Sequence, residues 1–187
     1  ALKRKECGTP LDAVQVWPLL DAFFRGEMAR QYPIPGALAA MAAIAEQADI
    51  VVLTNVGPER QQARIEQLAL HDFHAPVIGS RGGKGEPVRR LIEQYQPSVA
   101  LFIDDLAGHH HSVAQEAPEV WRLHLVGEPA IADKIAPARH AHARIDDWAA
   151  AQESCEKAIA VHRELGNRRS EAIAVTNLAD LERDRAV

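Results

Sequence analysis

Three short stretches of this 187-residue chain carry side chains that could do chemistry together. Val51-Val52-Leu53 runs into Thr54-Asn55, Lys84 sits inside Gly82-Gly83-Lys84-Gly85, and Phe102-Ile103 runs into Asp104-Asp105. A hydroxyl at a strand end can donate to a phosphoryl oxygen, and an ammonium can neutralise its charge. Two adjacent carboxylates after an apolar run cost free energy unless a cation or hydrogen-bond donors compensate them. Mg²⁺ is the natural compensator, because it takes one or two carboxylates, waters and phosphate oxygens. The glycine-rich turn around Lys84 could turn backbone amides toward an anion. It is not a Walker loop, since Gly85 stands where that motif requires Ser or Thr.

The elements that must position these groups follow from periodicity. Residues 10–28 carry Leu11, Val14, Trp17, Leu20, Phe23 and Phe24 at helical spacing, broken by Pro18, which reads as a helix that starts or kinks there. Pro35-Gly36 opens an alanine-rich helix through about Gln47, which feeds a strand at 49–54. A helix from Pro58 to about Leu70, a strand at 76–79, a helix from the glycine turn to Tyr95, a strand at 99–104, a helix at 110–116 and a strand at 120–125 continue the alternation. Strands alternating with helices predict a parallel, doubly wound α/β sheet whose chemistry lies at the carboxyl ends of its strands. Residues 127–147 have no periodicity and read as a surface loop. The last segment, rich in Ala, Glu and Arg, reads as two helices over about 147–165 and 168–184 joined at Gly166-Asn167.

In their order, VVLTN, Lys84 in GGKGEP, and FIDD resemble the second, third and fourth motifs of the haloacid-dehalogenase (HAD) superfamily of hydrolases, over roughly residues 1–147. The resemblance implies a Rossmann-like sheet with a partial helical cap at 1–34, a core at 35–126 and a loop at 127–147. It implies an Mg²⁺-dependent phosphatase acting on a small phosphorylated metabolite through an aspartyl-phosphate. Thr54 and Lys84 would be catalytic, Thr54, Asn55 and Lys84 would bind the phosphoryl group, and Asp104 and Asp105 would hold Mg²⁺, the first directly and the second through water. The family's first motif, an Asp-x-Asp that supplies the nucleophile, has no counterpart in the 187 residues. The chain as written is therefore expected to lack turnover, and its sheet to lack a first strand. Neighbouring strands lie about 4.8 Å apart, so the strands ending at Thr54 and Asp104 would stand roughly 10 Å apart across a slot unless another segment fills it. The alternative is a non-catalytic phosphate-binding or protein-interaction module.

Composition narrows the partners. The chain is 47% hydrophobic, enough for one substantial core, and its net charge of −5 is spread without blocks, which argues against nucleic-acid and polybasic membrane contacts. No apolar run reaches membrane-spanning length, and no charged-then-apolar leader opens the chain, so a cytoplasmic protein is expected. Cys7 and Cys155 are far apart and read as reduced thiols. His109-His110-His111 and His140-Ala141-His142 invite a metal reading, but three consecutive helical histidines point in different directions and cannot all meet one ion. Residues 148–187 resemble a single tetratricopeptide (TPR) unit, a helical hairpin that would offer an arm for a protein partner, although one unit cannot form a stable solenoid.

Overall fold

The computed structural model describes residues 3–164 and 172–176. Six parallel strands form one sheet: β1 (Ala48–Thr54), β2 (Val77–Gly79), β3 (Val99–Asp104), β4 (Trp121–His124), β5 (Ala143–Arg144) and β6 (Ala172–Thr176), in the spatial order β2-β1-β6-β3-β4-β5. Around them run α1 (Ala13–Glu27), α2 (Ala37–Ala45), α3 (Gln61–Ala69), α4 (Gly85–Tyr95), α5 (Ala107–Glu116), α6 (Pro129–Ala132) and α7 (Trp148–Glu164). The expected alternation of strand and helix from 35 to 125 holds, with boundaries shifted by a few residues.

β1 and β3 are buried along nearly their whole length, as strands covered on both faces must be, which is why they read as continuous apolar runs rather than alternating ones. Their side chains alternate between two cores. Ile50, Val52, Leu101 and Ile103 face Met41 and Ile44 of α2 and Ala151, Cys155 and Ile159 of α7. Val51, Leu53, Ala100 and Phe102 face Val88 and Leu91 of α4 and Val113 of α5. Helices on both faces make the sheet doubly wound.

Several details differ from the sequence reading. α1 runs through Pro18 instead of starting there, and Val14, Leu19 and Phe23 on it are exposed. Arg60 ties it to the body through Asp21. Residues 127–147 are not wholly loop: α6 and the short β5 lie within them, and β5 extends the sheet beyond β4. The separate C-terminal hairpin does not form. α7 buries Trp148, Ala151, Cys155 and Ile159 in the main core, and residues 172–176, expected within a second helix, are a strand; the remainder of 168–184 lies outside the described residues.

The position of that strand answers the expected slot. β6 pairs on one side with β1, Ala48 opposite Ala172 through Val52 opposite Thr176, and on the other with β3, Val99 opposite Ala172 through Ile103 opposite Thr176. The two edges that would have faced each other unpaired are bridged by residues far along the chain. Ala174 pairs with Ile50 and Leu101, so its peptide lies between two ladders. Proline there removes a donor from the middle of a sheet. Ala174→Pro is expected to cost about 3 kcal/mol or more, roughly 6–12 °C in Tm; an unchanged melting curve would show that β6 does not hold the sheet together.

Candidate functional site

Thr54 ends β1 and Asp104 ends β3, so both lie at the carboxyl edge of the sheet. Lys84 reaches this edge from the N-terminus of α4, and its Nζ donates to Asp104 Oδ2 at 2.7 Å. Both side chains are sealed, with 0% relative exposure each. The glycines beside Lys84 explain how it arrives there. A Cβ on Gly85 would stand 2.2 Å from the Ser112 carbonyl oxygen of α5, and one on Gly83 would stand 2.4 Å from the Ser112 hydroxyl. The Gly85 amide donates to that same hydroxyl at 2.9 Å. The run of glycines thus lets the start of α4 press against α5, and in this arrangement Lys84 points at a carboxylate rather than outward toward an anion.

The other oxygen of Asp104 is equally committed. Oδ1 accepts from the Leu106 amide at 2.8 Å and from His109 Nδ1 at 2.9 Å. With its proton on Nδ1, His109 accepts at Nε2 from Asn55 Nδ2, 3.1 Å away, while the second Asn55 amide hydrogen goes to the Gly82 carbonyl at 2.9 Å. Asn55 Oδ1 accepts from the Ser80 hydroxyl at 3.0 Å. One chain of hydrogen bonds therefore runs Ser80, Asn55, His109, Asp104, Lys84, and it joins β1, the glycine turn, β3 and α5. Asn55 is spent as the connector, not left as a free donor. The Thr54 hydroxyl at this edge is buried and, like His110 Nδ1, has no hydrogen-bond partner, which costs free energy that a ligand group or a water would recover.

Histidines also fix the backbone of the acidic pair. His110 Nε2 lies 2.9 Å from the Asp104 carbonyl, and His124 Nε2 lies 2.9 Å from the Asp105 carbonyl while its Nδ1 accepts from the Ala138 amide at 3.1 Å. Both imidazoles donate to those carbonyls from Nε2. Sequence spacing placed a histidine one helical turn beyond the acids; that two of the run would grip Asp104, one by its carboxylate and one by its carbonyl, depends on how α5 packs. His124, on a different strand, carried no signal beyond its type.

The two acids titrate in opposite directions. Burial pushes the Asp104 carboxyl up, but the Lys84 ammonium and the His109 donor outweigh it and hold it well below the ordinary carboxylate range. Burial and the neighbouring Asp104 charge raise the Asp105 carboxyl. Asp104 and Asp105 line a small cavity of about 30 Å³ with Gly127, Glu128 and Trp148, room for about one water. The indole Nε1 of Trp148 is buried there without a hydrogen-bond partner.

Whether these residues suit Mg²⁺ is decided by Asp104. Both of its oxygens accept from donors of the chain itself, and among the described residues no three His, Cys, Asp or Glu side chains converge as a ligand set. Held this way, Asp104 keeps about one acceptor position, on Oδ2, beyond those its own chain uses. The described residues also contain no helix long and apolar enough to cross a membrane. No protein-family model and no curated protein matches this chain.

Removing Lys84's charge would leave Asp104 buried and uncompensated. Lys84→Met is expected to cost about 3–5 kcal/mol, read by urea unfolding at neutral pH; a loss below about 1 kcal/mol would show that the pair adds nothing to the fold. Asp105 behaves oppositely: its raised carboxyl means that ionisation is disfavoured in the folded state, so Asp105→Asn is expected to raise Tm near pH 7, and a fall in Tm would count against the assignment. The pH profile carries a third expectation. His110 is held below its ordinary value of 6.5, chiefly by burial. Its folded state binds fewer protons than the unfolded chain, so stability should decline as pH drops below about 6.5. Asp104 adds a second decline below its ordinary 3.8. His110→Gln should flatten the first decline and leave the second; an unaltered slope between pH 7 and 5 would exclude His110 as its source.

Proposed function

We propose that this chain carries a HAD-type phosphoryl-transfer edge without a nucleophile, and that it is catalytically silent toward phosphomonoesters. The observation that carries the reading is the engagement of both oxygens of Asp104 by the chain itself: Lys84 on one, His109 and the Leu106 amide on the other. In phosphoryl transfer an ammonium and a carboxylate act by positioning and by meeting developing charge. Here each is spent on the other. No Asp-x-Asp occurs among the 187 residues, and β6, which lies between β1 and β3, is Ala-Ile-Ala-Val-Thr followed in sequence by Asn177. The parallel sheet and the order of Thr54, Lys84 and Asp104 along it support the HAD-like class.

A second reading, a non-catalytic module that binds phosphate, is favoured by the buried and unpartnered Thr54 hydroxyl. The two share an inactive chain and separate on binding. Millimolar inorganic phosphate that raises Tm in the parent chain and not in Thr54→Val would favour the module; no shift in either would leave a silent HAD-like domain.

With Mg²⁺ and a panel of phosphomonoesters that includes p-nitrophenyl phosphate, no turnover above the uncatalysed rate is expected. Robust hydrolysis that is abolished by Asp104→Asn would overturn the proposal. Mg²⁺ alone at 1 mM is expected to leave Tm unchanged, since a group that binds the folded state stabilises it only as its concentration exceeds Kd; a clear rise would mean that the acidic pair opens to the ion.

A further inference from the structure

On the far side of α5 from the buried network, two exposed imidazoles meet. His111 Nδ1 lies 3.0 Å from His140 Nε2, and the ring centroids are 4.5 Å apart with planes tilted by 52°. Without a metal, one nitrogen donates its proton to the other.

Both rings sit on firm supports. His111 is on α5, whose preceding residues His109 and His110 are anchored on Asp104. The backbone at His140 is held by its carbonyl, which accepts from Arg122 Nε at 2.7 Å. Two residues on, the His142 amide donates to the Arg122 carbonyl at 2.8 Å, and the Arg122 amide donates to His142 Nδ1 at 3.0 Å. His142 is thereby spent, and burial together with Arg122 holds it below its ordinary value. The open pair is His111 and His140 alone.

We infer that His111 and His140 form a two-imidazole site for Ni²⁺ or Cu²⁺ that links α5 to the segment before β5. The separation of the nitrogens selects the ion. With metal–nitrogen bonds of about 2.05 Å, two ligands of a tetrahedral ion stand about 3.3 Å apart, and two adjacent ligands of a square-planar or tetragonal ion about 2.9 Å. The observed 3.0 Å falls close to the second value, so little movement is needed to exchange the shared proton for a tetragonal ion. Imidazole suits Cu²⁺ and Ni²⁺, and water would fill the remaining positions. The nearby Arg122 guanidinium opposes an ion held by charge alone, which disfavours Mg²⁺ or Ca²⁺ and leaves ions with stronger nitrogen bonding. Pre-set rings lower the ordering cost of binding.

Isothermal titration of the tag-free chain with NiCl₂ is the test, in a Cys7→Ser background so that the exposed thiol does not contribute. One equivalent should bind, and His111→Ala or His140→Ala should each weaken binding by about tenfold or more, the scale on which displaced metal-site groups act. Ni²⁺ should raise Tm in the parent and not in either variant, and Cu²⁺ should give an electron paramagnetic resonance spectrum with coupling to two nitrogens. Binding that survives in the double variant, a loss smaller than tenfold in both single variants, or no binding below millimolar Ni²⁺ would each overturn the inference. Both positions are exposed, so circular dichroism matching the parent is expected and separates loss of the site from loss of the fold.

Discussion

A lysine and an aspartate sealed together at the rim of a sheet set the terms for everything around them. Neither charge could stay buried alone, because taking an ion out of water costs several kcal/mol that only a close partner and further hydrogen bonds return. The surrounding features meet that demand. Glycines at 83 and 85 allow α4 to come close enough to α5 for Lys84 to reach Asp104. The turn after β3 presents the Leu106 amide, and α5 presents His109, so that both carboxylate oxygens are satisfied. Asn55 and Ser80 extend the network back to β1 and β2. A polar chain of this kind specifies one packing of four elements where apolar contacts alone would tolerate several.

The same network separates two acids that are adjacent in sequence. Asp104 receives Lys84, His109 and the Leu106 amide and stays ionised; at Asp105 burial and the like charge outweigh a backbone donor and push it toward its neutral form. The two carboxylates differ in which donors of the chain reach them. The carboxylate that ends β3 meets Lys84 at the start of α4 and His109 of α5, and both acids line a small cavity with Gly127 and Trp148.

Much of this was legible in the residues. β1 and β3 declared themselves by unbroken apolar runs ending in Thr54 and Asp104, a pattern that a strand covered on both faces must have. That Lys84 belongs with Asp104 was legible from order along an alternating chain. The glycine turn was read as a cradle for an anion because flexible backbone and a positive charge suit both uses; only the nearness of Ser112 separates them, and that is a tertiary fact. β6 was hidden for a different reason. Ala172 to Thr176 is a short apolar run set in a stretch rich in Ala, Glu and Arg, and five residues cannot distinguish a buried strand from a helix by period. Its place in the sheet is decided by two open neighbours far earlier in the chain. Consecutive positions on a helix must point apart, and the fold divides the histidine run accordingly: His109 and His110 turn inward to the acids, and His111 turns outward to His140.

That late strand also governs the order of events at the ribosome. Chains emerge from their N-terminus at about 5–20 residues per second, so β1, β2, β3 and β4 are all outside before residue 172 has been added. During that interval β1 and β3 each present an apolar, hydrogen-bonding edge with no natural neighbour, a template on which another nascent chain can add a strand. Closing the gap requires contacts between segments 124 residues apart for β1 and 73 for β3, which is slow for topological reasons. Production of this protein should therefore depend on chaperone capacity and growth temperature more than the thermodynamic stability of the finished sheet would suggest.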